Sequence, residues 1–467
     1  MRGGMAMMNF KRKRNFLTGL AMLLVLLAVP MAGAYDIPGI TGTSPTPVFN
    51  LATGTGTITT GDGNSVYMWL YGVEGGISQY PGPTIIVNQG DTVTINLKNR
   101  LPVPTSFVVD GISVVATASF TGTDLPGLLT REVAADNGAS SVAYTFTASN
   151  PGSYLYHSGT NPPLQVEMGL LGAIIVRPTG FGPAPNRNAY GHADSAYIHE
   201  KLFLLTDVDA RVHDQVQKGN YTNIDFTDYH DVYWFINGRT LPDTLSTTGA
   251  PWLKNQPYDA FVMMNPGQTI LYRMVNASRD PHPMHTHGNH HLIIGRQGRF
   301  LTTGAGADLS NNAFTTVVYP GDTVDAIMHW TGTGIGWDIV GHGDDVDNPP
   351  VGDFPGPGDI DNNNNGILDT CAAQPLELWE DPADHCKLFP VKLPNQQDVT
   401  FGQFWGGSPF LGALGALPPG EGGFNPWGGF FFMQHSHNEK ELTNNNIFPG
   451  GMATFLVVIA PSTMIVQ

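Results

Sequence analysis

The sequence predicts an all-β protein: two β-sandwiches, the second interrupted by a long insertion. Three observations lead there. Turn formers are abundant, with 57 glycines and 36 prolines among 467 residues, well above ordinary usage. Charged residues make up only 13 % while 41 % are hydrophobic and 10 % aromatic. That composition suits neither a helical repeat nor a disordered chain. Finally, short segments alternate apolar and polar with period two, as strands with one buried face do. A formal net charge of −17 argues against nucleic acid or an anionic membrane surface as partner, since both repel an acidic protein.

Residues 1–34 read as an export signal and stand apart from the fold. Lys11, Arg12, Lys13 and Arg14 precede an apolar run from Phe16 to about Val29, and Ala32-Gly33-Ala34 offers small residues for cleavage. The run is short for a membrane span, with an uncleaved anchor as the alternative. Lys13-Arg14-Asn15-Phe16-Leu17 resembles a weakened twin-arginine signal. The mature chain is therefore expected outside the cytoplasm, periplasmic or secreted, with no membrane span.

The first sandwich is expected over 35–179. Pro83–Val87 meets a Gln89-Gly90-Asp91 turn, Thr92–Leu97 and Val142–Phe146 alternate, and Gly172–Val176 is a short buried strand. A Pro/Gly-rich linker follows at 180–188. The second sandwich, 189–467, is marked by Phe203–Leu205, Val232–Phe235, Thr269–Tyr272, Thr316–Val318 and Thr454–Val458. Its excess length lies at about 340–430, where little alternates. Long insertions in compact domains are usually functional or locally braced.

Histidine placement is the most informative feature. His282-Pro-Met-His285-Thr-His287-Gly288 is followed by His290 and His291, and later by His435-Ser436-His437. Residues two apart on a strand project to one face about 7 Å apart. Two such pairs on neighbouring strands surround one or two metal ions with imidazole, which suits copper, zinc, iron or nickel, and copper most strongly. Surface or hydrogen-bonded histidines are the plain alternative.

These residues resemble the multicopper oxidase family, which is built from cupredoxin-like Greek-key (plastocyanin-like) sandwiches. Tyr80-Pro81-Gly82-Pro83-Thr84 with Gln89-Gly90-Asp91 is similar to its opening. Gly152–Gly159 resembles its Tyr-His-Ser-His segment, and Gln165 to Val176 its Gln…Gly-Leu-x-Gly…Ile-Val ending. His282–Gly288 resembles its His-Pro-x-His-x-His-Gly. His435 to Met452 stands in place of its His-Cys-His…His…Gly-Met. A single His-Pro-x-His-x-His-Gly points to two domains, and in two-domain members metal sites can lie between subunits of a homotrimer.

The resemblance also implies departures. The family's type 1 copper ligands would fall at His282, Ser436 and Glu441, with Met452 as weak axial ligand, yet Ser436 cannot supply a thiolate. The first His-x-His is replaced by Val108 and Asp110, although Asp110 still offers a carboxylate, and Gly159 replaces another histidine. Five cluster ligands match: His157, His285, His287, His435 and His437. The expectation is an exported copper-binding protein with one or two ions, His282 beside a vacated type 1 position, and little laccase-type activity. A copper-dependent oxidoreductase with a rebuilt site and a structural surface protein are the alternatives.

The insertion carries two further motifs. Asp361, Asn363, Asn365, the Ile367 carbonyl and Asp369 follow the spacing of a calcium loop, with Gly366 at the turn and Asp359 nearby. Ala372 stands where a bidentate Glu belongs, so affinity should be modest, and a plain Asn-rich loop is the alternative. Cys371 and Cys386, the only cysteines, suit a disulfide in an exported chain. Closing a loop of about 16 residues is worth roughly 3 kcal/mol in the chain-entropy treatment. Free thiols, or a soft metal site with His385, are the other readings.

Overall fold

The computed structural model describes residues 35–118, 124–183, 187–265, 267–330 and 430–458. The expected signal, calcium loop, cysteine pair and nearly all of the insertion lie outside the described residues. The protein is a pair of β-sandwiches packed side by side.

In the first sandwich, Ile40–Thr41, Ile85–Asn88, Leu171–Arg177, Gly152–His157 and Val108–Val109 form a five-stranded sheet. The facing six-stranded sheet is ordered Ser78–Gln79, Ser65–Val73, Val48–Thr59, Thr92–Lys98, Ser141–Thr147 and Val115–Ala118. Thr92–Lys98 shows why the alternation was readable: Val93, Ile95 and Leu97 are buried and the residues between them are not. They pack with Trp69, Phe107, Tyr144 and Tyr156 into one core.

In the second sandwich, His199–Val208, Thr269–Asn276, Thr323–His329 and His291–Arg296 form the centre of one sheet, with Tyr233–Ile236 at its edge. The other sheet is ordered Val262–Met264, Ala453–Val458, Phe430–Ser436, His282–Thr286 and Thr315–Val318. Between them lies a core containing Tyr272, Met274, Met284, Phe432 and Leu456.

Two features tie the halves together. Tyr35, at the start of the region expected to be the first sandwich, instead sits in the core of the second, its ring stacked 4.4 Å from His199. A few residues later the chain pairs with the first sandwich as strand Ile40–Thr41. Across the interface, Ser153 Oγ donates to Asp325 at 2.6 Å, and Tyr190 OH donates to the same carboxylate at 2.6 Å from within the second half. Asp325 also accepts from Arg273 at 3.0 Å, and Arg273 and Arg177 both pair with the buried Glu200. Buried charges need such mutual compensation. No helix of the described residues is long and apolar enough to cross a membrane.

Candidate metal centre

Strand His282–Thr286 runs antiparallel to Phe430–Ser436, with His285 directly opposite His435. His287 and His437 lie one residue past the strand ends. Each is kept on the ladder by a backbone N–H bond, His287 to Met433 O at 2.9 Å and His437 to Pro283 O at 2.7 Å. The period of two puts all four imidazoles on one face. Ring centroids are 5.0 Å apart for His285–His437, 5.1 Å for His285–His287 and 4.9 Å for His287–His435. The Nε2 atoms of His287 and His435 approach to 2.9 Å.

Neighbours orient these rings. His435 Nδ1–H donates to Ser436 O at 2.7 Å, which leaves its Nε2 lone pair facing the group, and His285 Nδ1 is bonded to Thr315 Oγ1 at 2.9 Å. Burial, then the neighbouring His435 and His437, push His285 down to about 4. Burial is also the main cause that lowers His435. Neutral imidazole is the form that binds metal. Imidazole donors suit copper, although among the described residues the one group of three ligand atoms lying within 4.8 Å of one another is acidic, Asp207, Asp231 and Asp280.

The alternate face of the same strand carries His282, fully buried, and here the residues do not fit the metal. Glu441, also fully buried, accepts from His282 Nδ1–H at 2.9 Å. At the other nitrogen, Ser278 Oγ lies 2.6 Å from Nε2. Ser278 Oγ also touches Asn276 Oδ1 and, at 2.9 Å, Asp280 O, both of them acceptors. Both ring nitrogens of His282 are thus engaged within the protein, Nδ1 by Glu441 and Nε2 by Ser278. Ser436 Oγ accepts from Asn438 N at 3.2 Å, and Glu441 Oε1 from Asn438 Nδ2 at 2.7 Å. The buried Met452 lies alongside, its carbonyl accepting from Ser436 N at 3.0 Å. The four expected type 1 positions do gather, but as a hydrogen-bonded cluster.

His157 stands in the first sandwich, on strand Gly152–His157. Its Nδ1–H donates to Ser158 O at 2.8 Å and its Nε2 faces Asp110 Oδ1 at 3.2 Å. Burial opposes its charge, but the Asp110 bond outweighs that and raises its pKa. A Cβ added at Gly159 would meet Val108 Cγ1 at 2.9 Å and Ser106 Oγ at 3.2 Å, so the expected second histidine has no room there.

Sequence reasoning missed a group of acids beside His282. The carboxylates of Asp207, Asp231 and Asp280 lie within 4.8 Å of one another. Lys440 Nζ already supplies a cation, 3.1 Å from Asp231 and 3.2 Å from Asp280. The signal was Asp207 itself, an acid inside the apolar run of strand His199–Val208.

Residues 37–180 match the multicopper oxidase family profile. Copper resistance protein A of Escherichia coli is 30 % identical over 179 residues, 37 % of this chain and 26 % of that protein. Residues 37–180 are a multicopper oxidase domain. A copper resistance protein A homolog of Pseudomonas syringae pv. tomato is 29 % identical over 283 residues, 56 % of this chain and 41 % of its own length. Both alignments thus span well under half of the relative. The solved multicopper oxidase mgLAC covers 90 % of this chain and 88 % of its own, at 18 % identity and a TM-score of 0.50, a likeness of fold. The family and fold expectations therefore stand: this is a multicopper oxidase-like copper protein of cupredoxin-like architecture.

Proposed function

We propose that this is an exported copper-holding protein in which His285, His287, His435 and His437 bind one or two copper ions and laccase-type turnover is absent. The observation that carries the reading is at His282. Its two nitrogens are engaged by Glu441 and Ser278, and Ser436 supplies no thiolate, so electrons from a reducing substrate have no type 1 copper through which to arrive. Bound copper would polarise or coordinate small ligands as a Lewis acid. The protein's own part is to hold neutral imidazoles in place and to fix their tautomers through Ser436 O and Thr315.

In this reading His157, with Asp110, completes the four-histidine group of a neighbouring chain in a homotrimer. Both are partly exposed at the first sandwich, while the four histidines of their own chain are carried by the second. The calcium loop at Asp359–Asp369 and the Cys371–Cys386 disulfide belong to the proposal as braces of the insertion.

The test is to purify the exported form, measure copper per chain, and record its visible and paramagnetic resonance spectra. Oxygen uptake with a phenolic substrate and sedimentation complete it. The expected result is up to two coppers per chain, lost on changing His285 and His435 to Ala, with no intense blue band and no sustained oxygen uptake. Robust oxygen-consuming oxidation would overturn the reading in favour of a rebuilt oxidoreductase.

A further inference from the structure

Helix Ala210–Gln217 and the segment after it leave the second sandwich and lie against the first. Val212 and Val216 are buried in the first sandwich's core, with Tyr221, Ile224 and Phe226 packed on it. From residue 221 to 229 no backbone–backbone hydrogen bond is made among the described residues, so side chains hold the segment. Tyr221 lies 5.7 Å from Trp69, and Arg211 Nη2 donates to Asp228 O at 2.5 Å. Phe226 and Tyr229 flank the Arg279 guanidinium, 4.8 and 4.6 Å from their ring centres.

Two carboxyls that this segment reaches, Glu167 and Asp207, line a cleft of ≈ 200 Å³ between the sandwiches, together with Tyr80, Thr206, Ser278 and Arg279 among others. There Tyr229 OH lies 2.9 Å from Glu167 Oε2 and 3.0 Å from Asp207 Oδ1. A phenol has one proton to donate, so bonds to both carboxyls require one carboxyl to bring its own. Glu167 already accepts from Asp209 N–H at 2.8 Å and faces His213 Nε2 at 3.4 Å and Arg279 Nε at 3.7 Å. Asp207 has only longer backbone bonds, from Arg279 N and Asp280 N at 3.2 Å. The extra proton therefore sits on Asp207.

We propose that residues 221–229 are a pH-responsive flap on the interdomain cleft, latched through Tyr229 while Asp207 is protonated and loosened as Asp207 ionises. The charges facing Asp207 are Glu167, Asp231 and Asp280 on one side of the balance and Arg279 and His282 on the other. Lys440 is engaged with Asp231 and Asp280, Asp209 with Arg211, and His213 with Glu167. Burial first, then the charge of Glu167, push Asp207 up to about 7, with His282, the Asp280 N–H and the Tyr229 hydroxyl opposing. Opening the flap hydrates Asp207 and returns it toward the ordinary carboxylate range near about 4. The open form then binds fewer protons, so opening becomes easier as pH rises from about 4 to about 7 and levels off above.

Hydrogen exchange on the full chain tests this through the His230 amide, which donates to Asp209 Oδ2 at 2.8 Å. Its protection factor should fall at least about tenfold between about pH 5 and about pH 8, while amides of strand Thr269–Asn276 hold theirs as an internal reference. Asp207→Asn, whose amide donates to Tyr229 at any pH, should keep the acid value throughout. Tyr229→Phe should give low protection at both. An unchanged wild-type protection factor across that range overturns the proposal, as does a pH-dependent fall that persists in Asp207→Asn.

Discussion

Removing the Glu441 carboxylate is the most direct probe of the rewired type 1 position. Glu441 and His282 are both fully buried and 2.9 Å apart, and Asn438 Nδ2 also donates to the same carboxylate. Glu441→Met leaves two buried donors, His282 Nδ1–H and Asn438 Nδ2, without their acceptor. Breaking one side of a buried pair costs about 3–5 kcal/mol, or roughly 10 °C in Tm for a domain of this size. Replacing both partners, His282→Leu with Glu441→Met, removes donor and acceptor together, and such swaps are nearly neutral. With each single variant costing about 3–5 kcal/mol and the double about 1 kcal/mol, the coupling energy should be at least about 5 kcal/mol. Guanidinium unfolding of chelator-treated protein, followed by tryptophan fluorescence, reads all four corners of the cycle without metal contributing. Additive losses in the double variant, or a cost below about 1 kcal/mol for Glu441→Met, would refute the buried-pair account.

Three other outcomes follow from the same geometry. Ser436→Cys supplies a thiolate while His282 stays bound to Glu441 and Ser278, so the copper-loaded variant should show no intense blue band; its appearance in the spectrum would contradict that bonding. Glu200 is held down to about 2 because Arg177 and Arg273 outweigh the burial that opposes its charge. Its stabilisation is present above the unfolded carboxylate range near about 4.5 and is lost as pH falls toward about 2. Acid titration of stability should therefore be steeper in wild type than in Glu200→Gln, and equal slopes count against it. In the insertion, calcium chelation should lower the thermal midpoint and Asp361→Ala should abolish that sensitivity; identical melting with and without chelator, in calcium-containing protein, rejects a structural loop.

Much of the fold was legible because one face of most strands is buried. Thr92–Lys98, Ser141–Thr147 and Thr269–Asn276 extend the predicted segments by only a few residues. The hairpin of Val48–Thr59 with Ser65–Val73 was not singled out, since Thr and Gly alternate through its middle and give little hydrophobic contrast. Helix Ala210–Gln217 is a short amphipathic piece inside a β chain, recognisable only once its buried face meets the other sandwich. The histidine pairs were legible because each is local, two residues apart on one strand face. The His282–Glu441 pair and the Tyr229 bridge join residues 159 and 62 positions apart, so no local pattern announces them.

The two faces of strand His282–Thr286 have answered metal differently, and electrostatics explains why they can. On the core face, His282 is bonded to a carboxylate whose other oxygen accepts from Asn438 Nδ2. A fold stabilised in that way needs no ion there, and admitting one would first break the pair. On the other face, four imidazoles meet with no carboxylate among them, and their closest nitrogens, 2.9 Å apart, share at most one proton between two lone pairs. Bringing neutral donors together forfeits their hydration and returns little until a cation arrives to bind them. Stability gained from metal should therefore appear at the four-histidine face and vanish with His285 and His435, while the His282 position contributes the same with or without it.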